Sequence, residues 1–93
     1  MSSRGGLGVR TVFLVDLRHE GLLPRAVRDI LDLMDWTTVR PGIAYLIDWD
    51  EAIDSPMPPW DRIELLMRAA RLVGLRHRML TLRRGQKIPL RGM

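Results

Sequence analysis

Hydrophobic positions along the chain fall into blocks of two kinds. The first is Thr11-Val12-Phe13-Leu14-Val15, a β-branched and aromatic run that stops at Asp16. It is continuous rather than alternating, which is the pattern of a strand buried on both faces. It predicts a central strand over residues 10–17. The next block has helical spacing. Leu23, Val27, Ile30 and Met34 form one stripe, flanked by Ala26, Leu31 and Leu33, with Arg25, Arg28, Asp29, Asp32 and Asp35 opposite. This predicts an amphipathic helix over 24–35, with Pro24 in the first turn, where its missing N–H would have no partner anyway.

Two β-prone runs, 36–40 and 43–49, flank Pro41-Gly42 and predict an antiparallel pair with a tight turn. Residues 50–59 are acidic and proline-rich, the composition of a stiff connection. A second helix is predicted from Pro59 or Trp60 to Val73. Asp61 and Glu64 lie early in it, Arg68 and Arg71 late, and Gly74 just beyond, which suits both the helix dipole and the C-terminal cap. Leu75 to Arg83 predicts the last strand.

The resulting order, β-α-β-β-α-β, implies an α+β fold: a ferredoxin-like two-layer sandwich with a short C-terminal extension. If 36–40 is only a loop, the alternative is an α/β arrangement of three parallel strands, β-α-β-α-β. The expected division is a flexible basic tail at 1–9, a single α/β domain at 10–85, and a basic tail or edge strand at 86–93. Pro89 restricts any such strand to an edge.

Composition narrows the possibilities. With 93 residues the chain has room for one domain and one modest core. Hydrophobic residues at 46% and charged residues at 28% are ordinary for a folded protein. The absence of cysteine excludes disulfides, thiolate metal sites and cysteine nucleophiles, and fits a reducing, cytoplasmic location. No apolar run approaches the roughly 20 residues that span a bilayer, so no membrane association is expected. The N-terminal residues lack the apolar core of a signal peptide. The net charge is +4, and the excess is almost all arginine, since Lys87 is the one lysine.

Charge and pattern together single out three groups of residues. The second helix has one apolar stripe of Ile63, Leu66, Met67, Ala70 and Val73, and another of Leu65, Ala69 and Leu72. A two-layer protein of this size buries one such face. Leu65, Ala69 and Leu72, with Trp60, are therefore candidates for a partner interface, most simply a homodimer. Trp49, Trp60 and the prolines between them form either an aromatic rim or a small satellite core. The second group is basic. Arg76, Arg78, Arg83, Arg84, Lys87 and Arg91, joined by Arg4 and Arg10, are candidates for contacting nucleic acid or an acidic partner. Stacking aromatics are scarce, so any nucleic-acid contact would be phosphate-directed and salt-sensitive. A basic edge that deters aggregation is the competing reading.

The third group is the carboxylate set Asp16, Asp48, Asp50, Glu51 and Asp54. Paired carboxylates at strand ends can hold Mg²⁺ for phosphoryl chemistry. In the ferredoxin-like order, Asp16 and Asp48 leave the sheet at opposite ends, and a shared site needs the parallel alternative. The β-α-β-β-α-β order with Val15-Asp16 closing the first strand resembles the Cas2-type CRISPR adaptation proteins. That resemblance implies a Mg-dependent nuclease in which Asp16 faces its symmetry mate. Thr37 to Gly42 departs from that family's polar and aromatic pattern. His19 and His77 lack metal-ligand spacing, no serine sits in a nucleophile elbow, and no glycine-rich phosphate loop follows a strand.

The function expected from these residues is a small non-enzymatic interaction module without a cofactor. It self-associates or docks on a larger assembly, and its basic C-terminal strand and tail meet nucleic acid or an acidic partner. The Mg-dependent nuclease centred on Asp16 is the alternative.

Overall fold

The structure is a computed structural model that describes residues 8–16 and 22–89. Four strands, β1 (Val9–Val15), β2 (Thr37–Arg40), β3 (Ala44–Asp48) and β4 (His77–Arg83), form one sheet in the order β2-β3-β1-β4. Every pairing is antiparallel. This corrects the parallel three-strand alternative, because residues 37–40 do form a strand and pair with β3. Helices α1 (Arg25–Leu33), a single turn α2 (Trp49–Ala52) and α3 (Pro59–Leu72) complete a small α+β fold. It is compatible with two layers.

Alternation along β1 divides the core between the two faces of the sheet. Phe13 and Val15 point towards the helices and pack with Val27 and Leu31 of α1, Ala52 of α2, and Leu66, Ala69 and Ala70 of α3. Val12 and Leu14 point the other way. There they join Ala44, with Ile43, Leu46, Leu80, Leu82 and Ile88 partly buried around them. All five residues from Thr11 to Val15 are buried: the apolar run Val12 to Val15 and the polar Thr11 that precedes it. Each large side chain fully buried in this way contributes about 1.5–3 kcal/mol. The C-terminal segment 86–89 adds no strand; Ile88 instead lies against the second apolar cluster.

Both long helices stop in the same way. After α3, Gly74 takes a φ of 69°, its N–H bonds Arg71 O and the Leu75 N–H bonds Ala70 O. After α1, Asp35 takes a φ of 55°, its N–H bonds Asp32 O and the Trp36 N–H bonds Leu31 O. This is the paired-bond stop of a left-handed C-terminal cap. Each stop drops an apolar residue into the core before the next strand: Leu75 is 6% exposed and Trp36 is 7% exposed. The β2–β3 turn uses Gly42 at φ 77°, as Pro41-Gly42 predicts, and its N–H donates to the Tyr45 hydroxyl at 2.6 Å.

Candidate functional site

The cationic strand comes first. Its register with β1, running from Val9 opposite Arg83 to Val15 opposite His77, fixes which way each side chain points. Arg76, Arg78 and Arg83 are exposed on or beside β4, and Lys87 is exposed beyond it. Arg91 lies outside the described residues, as does Arg4. Arg84 is committed elsewhere. Its guanidinium meets both oxygens of Asp48 at 2.9 and 2.8 Å and Asp50 Oδ2 at 3.0 Å. The Asp48 hydrogen bond and charge, helped by Asp50 and Glu51, raise the Arg84 pKa further above its ordinary value.

Two sets of candidates thus neutralise each other. Asp48 and Asp50, read from the sequence as possible metal ligands, are the partners of a residue read as a nucleic-acid contact. Asp48 also caps α2, accepting from the Asp50 N–H at 2.9 Å, and Asp50 accepts from the Gly8 N–H at 3.0 Å. Asp48 stands opposite Arg10 in the β1–β3 register. Asp16 lies six residues further along, which at the rise of a strand is about 20 Å away. Asp48 and Asp50 therefore meet on Arg84, while Asp16 stands apart from both. Among the described residues no three carboxylate or histidine side chains are grouped to hold a metal ion. An open depression of about 260 Å³ beside Asp48 is lined by Asp35, Thr37, Glu51, Ser55 and Arg62 among others.

The candidate interface residues separate. Leu72 is 81% exposed and Trp60 is 51% exposed. Leu65 is half-buried. Ala69 lies inside the main core at 7% exposure, on the boundary between the two stripes of α3. Trp60 packs against Trp49, with ring centroids 6.1 Å apart. Trp49 is itself anchored, its indole N–H donating to Thr11 Oγ1 at 2.7 Å. The pair is thus fixed on its inner side and open on its outer side.

Two features lie outside the hydrophobic pattern of the chain. Arg62 fastens three segments together. Its Nε donates to Met57 O at 2.7 Å, Nη1 to Met34 O at 3.0 Å and Nη2 to Ser55 Oγ at 2.7 Å. The second is a polarisation of charge along the chain. All eleven carboxylate residues lie at or before Glu64, and the eight arginine and lysine residues from Arg68 onward face no carboxylate in their own segment. A running count of charge finds this directly. No protein-family model, curated protein or solved structure matches the chain. Among the described residues no helix is long and apolar enough to cross a membrane.

Proposed function

We propose that the chain is a small non-enzymatic interaction module. It self-associates, or docks on a larger assembly, through its helix layer. Its basic C-terminal strand and tail meet nucleic acid or an acidic partner. The arrangement assigned to it is ferredoxin-like, supported by the β2-β3-β1-β4 order and by helices gathered against one face of the sheet. A cytoplasmic location belongs to the same reading, on the absence of cysteine.

The observation that carries the proposal is the apolar surface left on the helix layer after the core is closed. Leu72 and Leu22 are each 81% exposed, Leu33 is 72% exposed, and Trp60 and Val73 add to them. Arg62, in the first turns of α3, reaches Met34 at the end of α1. Trp60 and Leu33 therefore share one end of the layer. Leu72 and Val73 lie at its other end, about 18 Å along α3 from Trp60. A stable dimer buries about 800 Å² on each partner, and an interface running along the helix layer would take in both apolar ends.

Light scattering over a wide concentration range tests self-association. The expected result is a dimer mass that reverts to monomer in a Leu72→Glu, Trp60→Glu double variant. A monomer throughout overturns it. For the cationic strand, binding to mixed DNA and RNA fragments and to polyglutamate is expected at low ionic strength and lost on adding salt. No binding to any of these removes that half of the proposal.

A further inference from the structure

The two edges of the sheet are built differently. The β2 edge is four residues long, is broken by an irregularity between Thr38 and Arg40, and runs into Pro41. Short length, a bulge and a proline are the ordinary devices that stop an edge from pairing with another chain. The β4 edge has none of these. It runs seven residues in unbroken register with β1. At its two ends the Arg84 N–H bonds Gly8 O and the Asp16 N–H bonds Arg76 O. In an antiparallel ladder this parity turns the even-numbered residues of β4 towards β1 and the odd-numbered ones outward. His77, Met79, Thr81 and Arg83 therefore present their N–H and C=O groups away from the sheet.

Arg83 is already closed off. Its N–H donates to Gln86 Oε1 at 2.8 Å, and its carbonyl accepts from the Gln86 N–H at 3.0 Å. Among the described residues no strand pairs with this edge, and the stretch left open is bounded at one end by Gln86 and centred on Met79. Exposed Arg76 and Arg83 flank it, one on each face of the sheet, with Arg78 between. No carboxylate follows Glu64 in the chain. A second copy of β4 would set these cations against one another, and a nucleic acid would leave the outward amides unused.

We infer that the β4 edge is a docking strand for an extended acidic segment of another protein. The incoming strand adds to the sheet through the main-chain groups of His77, Met79 and Thr81. Its Asp or Glu side chains, near both ends, meet Arg76 and Arg83, and β-branched residues lie opposite Met79 and Thr81. This deepens the acidic-partner reading above and rests on it.

The test uses the full chain and the peptide acetyl-Glu-Glu-Val-Thr-Val-Thr-Val-Glu-Glu-amide, followed by hydrogen exchange at single residues. Exchange at the His77, Met79 and Thr81 amides is expected to slow about tenfold or more when the peptide binds. A peptide N-methylated on its β4-facing amides is expected to bind at least about tenfold more weakly, because it keeps the charge but loses the ladder. An Arg76→Glu, Arg83→Glu variant is expected to lose the acidic peptide and to bind the same peptide with lysine in place of glutamate.

Peptide binding without protection of those three amides overturns the strand inference and leaves the acidic-partner reading standing. Equal binding of the N-methylated peptide does the same. Protection that grows with protein concentration in the absence of peptide assigns the edge to a second copy and overturns it. A DNA or RNA oligonucleotide that binds while the peptide does not assigns the surface to nucleic acid. If neither binds at low salt, the inference and the reading beneath it both fail.

Discussion

Thr11 shows how one residue couples the sheet to the helix layer. It is 1% exposed, a buried polar side chain in the middle of an apolar strand. Its hydroxyl accepts from the Trp49 indole N–H and shares a hydrogen bond with Thr81 Oγ1 at 3.0 Å. A buried polar group is tolerated only when it is paired in this way. Thr11→Val keeps the shape but leaves the Trp49 N–H without its acceptor, and is expected to cost about 1–2 kcal/mol. Thr11→Ser, which keeps the hydroxyl, is expected to retain the indole bond. Chemical denaturation of both variants, with Trp49 fluorescence as a second readout, checks this. A Thr11→Val protein as stable as the parent would show that the bond contributes nothing. Trp36 is the opposite case, since its buried indole nitrogen has no hydrogen-bond partner among the described residues. It is held by packing, edge-on to Phe13 at 6.4 Å.

At the scale of elements, Arg62 is the fastener. It satisfies the Met34 carbonyl at the end of α1 and holds the Met57 and Ser55 positions of the proline-rich connection. Charged hydrogen bonds of this kind are worth about 1.5–3 kcal/mol each when a partner is stranded. Arg62→Met is therefore expected to destabilise by on the order of 2–3 kcal/mol, measured by urea unfolding. Amide exchange should quicken first over residues 53–58. Uniform loss of protection would show instead that Arg62 stabilises only the whole fold. The principal elements were legible beforehand because their signals are local: the β-branched run at 11–15, the stripe through Val27 and Ile30, Pro59 opening α3 and Gly74 closing it. The α2 turn was not, because four residues carry no periodicity and its acidic, proline-rich surroundings read as loop. Its start lay in Asp48, whose side chain caps it. The pairing of Arg84 with Asp48, across 36 positions, has no local signature at all. Ala69 was misplaced because it sits on the boundary of the wheel, where a small tilt of α3 decides its face.

Charge is divided along the chain: its carboxylates end at Glu64 and the charged residues after it are all cations. Arg84 among them is offset by Asp48 and Asp50, which leaves exposed Arg76, Arg83 and Lys87 to set the field beside β4. A polyanion should respond to the field rather than to the net charge. Arg76→Gln, Arg83→Gln and Lys87→Gln, combined, are expected to reduce the salt dependence of heparin binding by about one unit of log–log slope per residue. The equivalent triple change Arg25→Gln, Arg28→Gln, Arg40→Gln, identical in net charge, should leave it nearly unchanged. Equal effects from the two triples would mean that the division has no consequence for binding.

The bond between the Arg84 N–H and Gly8 O, 2.7 Å long, brings the two ends of the folded domain side by side. Entry and exit are then neighbours, so a host chain could leave one of its own loops, form this whole domain, and return to nearly the same point. The domain is geometrically suited to life as an insert. By the same geometry, a short link from Arg84 to Gly8 would let the chain be reopened elsewhere, for instance at the exposed Pro41-Gly42 turn, without altering the order in which its strands lie.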